Sequence, residues 1–180
     1  MILATTALNE LLAECSSLLH GDEPELACST ALRATMSTAR RAITLKFADE
    51  RDVVVVHRSP ELTMLVLPTP ASFWFWPHEH GMWAVTAMLA GAEDNVVFDR
   101  HEHGIVERRR FRIDEGIVAA HPEDVVHAAG NDSASVSLAL HVYGGDPCEV
   151  ESREWDPATG HSKPIDDATT RRRRAAMALG

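Results

Sequence analysis

Residues 73–83 read FWFWPHEHGMW, and the placing of this stretch decides the fold. Five of its eleven residues are large aromatics, a density that belongs to a buried surface. His78 and His80 stand in the middle of it. In an extended strand successive side chains point to opposite faces, so the two histidines share one face and Glu79 takes the other. Two imidazoles on one inward face can hold one metal ion. Two unrelated histidines, one in the core and one at the surface, fit the same letters. His101-Glu102-His103 has the same spacing, but it follows Asp99-Arg100 and runs into Gly104. That polar, turn-like setting predicts a surface pair.

Upstream of this stretch the chain reads as helix. Residues 4–20 carry Leu8, Leu11, Leu12, Cys15, Leu18 and Leu19 at spacings of three and four, an amphipathic helix broken by Gly21, Asp22 and Pro24. Residues 24–45 are rich in Ala, Leu, Met and Arg and predict a second helix, with Ser29 or Thr30 as the cap of an internal restart. After Lys46 the pattern changes to short β-branched and apolar runs: 53–56, 63–67, 83–89, 95–99, 105–113, 117–120, 125–129 and 135–143. Turn residues separate them, among them Gly91, Gly104, Asp114-Glu115-Gly116 and Gly144-Gly145. Strands so spaced predict an all-β sandwich or barrel. The organisation is N-terminal helices over 1–46, a barrel over 47–146, and a C-terminal loop and tail over 147–180, within one domain. A weak helical signal begins at about residue 166.

Composition sets the outer bounds. A chain of 180 residues, 45% hydrophobic and 24% charged, can bury a sizeable core. Its net charge of −10 argues against a nucleic-acid surface and against anionic membrane. The basic run Arg171–Arg174 is local and reads as a solvated helix end. Three widely spaced cysteines, Cys15, Cys28 and Cys148, form neither a disulfide framework nor a zinc knuckle. The N-terminus lacks the basic region of a signal peptide, and no apolar run reaches the ~18 residues of a membrane span. The expectation is a cytoplasmic protein whose partners are small molecules.

Spacing beyond the first histidine pair separates the two readings of it. Gly91 lies eleven residues after His80. In GIVAAHPEDVVHAAGN (116–131), Gly116, Pro122, His127 and Asn131 follow one another at cupin-like intervals. Together these resemble the paired motifs of the cupin superfamily, HxH with a downstream Glu and Gly, then Gly, Pro, Gly, His and Asn. The resemblance implies a mainly β fold, the double-stranded β-helix or jelly-roll barrel, with N-terminal helices packed on it. Three positions depart from the pattern. Ser72 replaces the leading glycine, Asp124 replaces the inner glycine, and Ala84 or Val85 stands where the glutamate ligand would be. The implied ligand set is therefore three neutral imidazoles, His78, His80 and His127.

That loss of the glutamate resembles the cysteine dioxygenase family of thiol dioxygenases. LHVYGGD (140–146) is similar to the family's His-x-Tyr strand, and VHRSPELTML (56–65) to the segment that carries its carboxylate-binding arginine. RSPELTML, PHEHGMWAV, GAEDNVVF, HVYGGD and REWDP further resemble a bacterial branch grouped with metal-dependent double-stranded β-helix enzymes. The resemblance covers roughly residues 50–160. It implies a non-haem iron(II) dioxygenase using dioxygen on a small anionic substrate, with zinc, manganese or nickel as other possible occupants of three imidazoles. It assigns Tyr143 and His141 to catalysis and Arg58 to the substrate carboxylate. Trp76 and Trp83 are candidate substrate contacts. Ala139 replaces the serine of the family's Ser-His-Tyr triad, and Val85 removes any cysteine–tyrosine crosslink. Two other functions stay open at this point: a non-oxygenase metal-dependent cupin, and a metal-bearing sensor.

Overall fold

The computed structural model describes residues 2–166 and Thr170. The first helix, α1 (Ile2–Leu18), ends where Gly21 N–H bonds back to Leu18 at 3.1 Å. The second, α2 (Pro24–Phe47), starts with proline in its first turn, where the missing N–H costs nothing. It runs without the internal restart expected at Ser29 or Thr30. Ser29 is buried, and the Thr30 hydroxyl donates to the Leu26 carbonyl one turn back, so neither caps anything.

Eight strands then build two antiparallel sheets. They are β1 (Val54–Arg58), β2 (Thr63–Thr69), β3 (Ala84–Ala90), β4 (Ala92–His101), β5 (Gly104–Asp114), β6 (Val118–His121), β7 (Val126–Gly130) and β8 (Ser137–Tyr143). One sheet has the order β1-β2-β8-β3-β6, the other β5-β4-β7. Two short strands follow, β9 (Arg153–Trp155) and β10 (Ser162–Pro164), paired as a hairpin. This is the double-stranded β-helix, or jelly-roll barrel, expected from the sequence. Its helices cover the outer face of the five-stranded sheet, where Arg33 donates to the Val118 carbonyl and Thr44 to that of Leu89.

The alternation along β3 and β8 shows why these strands read as unbroken apolar runs. Val85, Ala87, Leu89, Leu138, Leu140 and Val142 pack with the helices in the main core. The residues between them face the barrel interior. There Met88, Ala139 and Ile113 make a small apolar plug, and Thr86, His141 and Tyr143 line a cavity. Both faces are covered, so both are apolar except where the chemistry sits. The exposed edge strand β5 carries Arg108, Arg110 and Arg112, which discourages pairing with another chain.

The aromatic stretch is paired, but it is not the regular strand that its alternation predicts. Phe75 N–H bonds to Ala129 and Asn131 N–H to Phe73, while His78 exchanges both backbone bonds with His127 at 2.8 and 2.9 Å. The register slips by one residue between Phe75 and His78. Pro77 lies in that gap and has no N–H to offer the ladder. On its other side the stretch is held by β9, through Trp155 N–H to Pro77 and Glu79 N–H to Arg153. Residues 153–155, expected to be loop, therefore form barrel wall. A β-carbon at Gly130 would fall inside the Trp74 ring, so only glycine lets this stretch lie so close to β7. The helix expected from about 166 and the run Arg171–Arg174 lie almost wholly outside the described residues. No helix among the described residues is long and apolar enough to cross a membrane.

Candidate metal centre

His78 and His80 come from the aromatic stretch and His127 from β7, and their backbones are tied together by the His78–His127 bridge. Among the described residues they are the only group of three or more His, Cys, Asp or Glu side chains whose ligand atoms all lie within 4.8 Å of one another. The Nε2 atoms of His78 and His80 are 3.1 Å apart, and those of His127 and His80 are 3.4 Å apart.

Hydrogen bonds on the far side of two rings fix their tautomers. His78 Nδ1–H donates to the Trp76 carbonyl at 2.7 Å. His127 Nδ1–H donates to Asn95 Oδ1 at 2.9 Å, and Asn95 in turn donates its amide to Glu93 at 2.9 Å. Each ring thus carries its proton outward and turns a bare Nε2 lone pair on His80. One proton on His80 could satisfy only one of them. His80 Nδ1 is itself buried without a partner among the described residues. Burial, then the neighbouring imidazoles, holds His80 and His127 well below the usual histidine range, and burial lowers His78 too. Three neutral imidazoles with converging Nε2 atoms and at most one proton among them fit a divalent metal ion.

Asn95 acts here through His127, and its loss has a defined consequence. Asn95→Ala leaves His127 free to turn or to change tautomer. Metal affinity, measured by competition with a chelator, should fall by about 10–100-fold, the usual effect of losing an outer partner of a ligating histidine. Affinity equal to wild type would show that His127 needs no such partner.

Two chambers meet at the cluster. The inner one, about 80 Å³, lies between the sheets and is lined by Leu67, Phe75, Thr86, Glu93, His141 and Tyr143 as well as the three histidines. The outer one, about 440 Å³, shares Phe75, His78, His80 and Tyr143 as its floor and is walled by Trp76, Cys148 and the β9 region. Tyr143 stands with its ring perpendicular to that of His80 at 5.3 Å between centroids. Its hydroxyl bonds to no described residue, and burial pushes its pKa up, which keeps the proton on oxygen. His141 does not hold that hydroxyl, as a bonded Tyr–His pair would require. The two rings are stacked 6.0 Å apart, and His141 Nδ1 is instead 3.2 Å from Thr86 Oγ1.

The other residues singled out in the sequence fall in different places. Trp76 lines the outer chamber, with the Lys163 ammonium 4.9 Å over its ring. Trp83 packs against the main core and over Gly144, away from both chambers. Arg58 is not in either chamber wall. It donates to Asp146 at 2.7 Å, and Asp146 caps the backbone of Cys148, so Arg58 reaches the chamber only by bracing its rim. Glu79 is paired with Arg100. His101 and His103 are exposed on the β4–β5 turn. Changing both to alanine should leave metal content unchanged by elemental analysis, and metal loss without unfolding would overturn the three-histidine assignment.

Two residues that the sequence did not single out stand at the site. His121, at the end of β6, is buried with its ring 4.9 Å from that of His127, and burial lowers its pKa to about 4. Glu93 faces the inner chamber from β4. Its signal was there to be read: Glu93, Asn95 and Val97 alternate along one strand, so a carboxylate shares the inward face with a valine.

Known structures align with this chain at low identity and over part of its length. An RmlC-like cupin family protein from Methanocaldococcus jannaschii aligns with TM-score 0.46 and 14% identity, over 56% of this chain and 87% of its own. A DMSP lyase from Ruegeria pomeroyi aligns with TM-score 0.44 and 21% identity, over 59% of this chain and 52% of its own. An oxalate decarboxylase from Lactobacillus farciminis gives 0.43 and 16%, over 52% and 28%. No protein-family model matches the chain, and no curated protein matches it by sequence.

Proposed function

We propose that this chain is a non-haem iron(II) dioxygenase that oxidises a small anionic substrate, a thiol foremost, with dioxygen. The observation that carries the reading is the Tyr143 hydroxyl, which bonds to no described residue, beside a ligand set made only of imidazoles. His78, His80 and His127 would hold the metal. Three neutral ligands leave a divalent ion its full positive charge, which favours an anionic ligand such as a thiolate. Iron(II) held there supplies Lewis acidity and redox chemistry toward dioxygen.

The chain's own groups divide the remaining work. The inner chamber has room for a few atoms only, so it takes the reacting group and excludes water from it. The rest of the substrate lies in the outer chamber against Trp76. The Tyr143 hydroxyl, kept protonated, donates a hydrogen bond to the reacting group at the junction of the two chambers. His141, bonded to Thr86, gives the tyrosine ring a fixed stacking surface.

The test is metal analysis of the purified protein, followed by oxygen-electrode assays of the iron-loaded form with a panel of small thiols. Oxygen uptake and a product heavier by two oxygen atoms are the expected results. Fully iron-loaded protein that consumes no oxygen with any of them would overturn the oxygenase. A metal-dependent isomerase, hydrolase or decarboxylase using zinc, manganese or nickel, or a sensor, would then take its place.

A further inference from the structure

Glu93 has no part in the metal cluster, yet it is built into the chamber beside it. It is 5% exposed. An ionised carboxylate at such a depth normally has a cation against it. Here the one hydrogen bond among the described residues is the Asn95 amide donating to Oε1 at 2.9 Å. Its charged neighbour on the strand is Asp94, a like charge that turns outward and pairs with Arg112. On the partner strand β5 its neighbour is Ile113. Across the chamber it faces His127 of β7, His141 and Tyr143 of β8, Thr86 of β3, and His78 and His80. No arginine or lysine lines that chamber among the described residues. Oε2 is thus left for whatever enters.

We propose that Glu93 is the proton acceptor for the protic group of the substrate that binds at the metal. This rests on the reading of the site as a metal centre that takes a protic ligand such as a thiol. The substrate's X–H bond breaks, its electron pair stays on X, and the proton forms an O–H bond on Glu93 Oε2. The same carboxyl can return that proton to product, so no other reagent is needed. Two further features suit Glu93 to this work. Burial raises its pKa to about 7, close to the value at which a group gives and takes protons most readily. The neighbouring Tyr143 is held protonated, and His141 is pushed down to about 3, so neither accepts a proton near neutrality. The bond to Asn95 also gives the carboxyl a fixed aim.

A carboxyl that served only to orient Asn95 would behave differently, and Glu93→Gln separates the two roles. Glutamine keeps an oxygen for the Asn95 amide but cannot take up a proton. Wild type and variant are loaded with cobalt(II) and titrated with 2-mercaptoethanol at about pH 7, where a carboxyl with a pKa of about 7 starts half-ionised and can keep part of the proton of a thiol that is itself still protonated. Thiolate-to-cobalt absorption reports binding, and an indicator dye reports released protons. Wild type should release clearly fewer protons than thiols bound, and the variant about one per thiol. Infrared difference spectra against pH should show a carboxylic-acid C=O band that titrates near neutrality in wild type and is missing in the variant. Equal proton release from both, or an unchanged band, would overturn the role of Glu93. Cobalt uptake without thiol binding in either protein would instead count against the thiol, with Glu93 then decided by the infrared band. Failure of wild type to take up cobalt would overturn the metal centre and Glu93 with it.

Discussion

His80→Ala should give a folded protein that has lost its metal. Of the three ligands His80 is the one whose removal disturbs least else. His78 also holds the Trp76 carbonyl and His127 holds Asn95, so cutting either back to alanine would orphan a buried partner. His80 Nδ1 has no partner among the described residues to orphan. Its Nε2 is the one that both other lone pairs face, so without it two imidazoles remain, aimed at a gap. The loss in metal affinity should exceed the roughly 10–100-fold that follows removal of an outer-shell partner. Melting gives a second reading. A metal present at about 1,000 times its Kd stabilises the wild type by about 4 kcal/mol, and this increment should vanish in the variant. Without metal the two proteins should melt alike. Metal content equal to wild type after metal-replete purification would sink the ligand assignment.

The pH dependence of the metal-free wild type follows from the same burial. The folded-state pKa values of His121 and His141 lie at about 4 and about 3, below the unfolded value of ~6.5. The folded state therefore binds fewer protons than the unfolded one in that window, and stability falls as pH drops from about 6.5 toward 3. Glu93 has the opposite sign, because its folded pKa of about 7 lies above the unfolded value. Its contribution is lost as pH rises from about 4.3 to about 7.

The barrel was legible because its cues are local. Turn residues close each strand, and β3 and β8 read as continuous apolar runs because helices cover one face and the barrel interior the other. The histidine spacings placed two members of the cluster in one stretch and the third on a strand that pairs with it. Residues whose meaning depends on a distant partner were less legible. Arg58 ends a strand in a way that suits a carboxylate anchor, but it is taken by Asp146, 88 positions along the chain. The strand β9 is three residues of mixed polarity, and nothing local marks it as wall. It forms because Pro77 and Glu79 present backbone groups for it to pair with. The interruption at Pro77 was visible in the letters, but its effect on register depends on what β7 offers opposite. The bonded chain Glu93–Asn95–His127 spans two strands, and only their pairing brings it together.

Tyr143→Phe should leave a protein that folds and binds metal but turns over on the order of 100-fold more slowly. The ring keeps its place over His80 and its stacking on His141, because both contacts are made by carbon atoms. The deleted hydroxyl bonds to no described residue, so the variant does not forfeit even the roughly 0.5–1.5 kcal/mol of a typical buried hydrogen bond. Tyr143 is half-buried and lines both chambers, so removing its hydroxyl should leave the melting temperature close to that of wild type. A hydroxyl that lines both chambers and bonds to no described residue holds no part of the fold together, so the group that enters the chambers is its available partner. The measurements are melting temperature, metal content and kcat on one preparation. A structural tyrosine would give the reverse result, with lower stability and unchanged kcat. That result would remove the donor from the junction of the two chambers, and with it the observation on which the oxygenase reading stands.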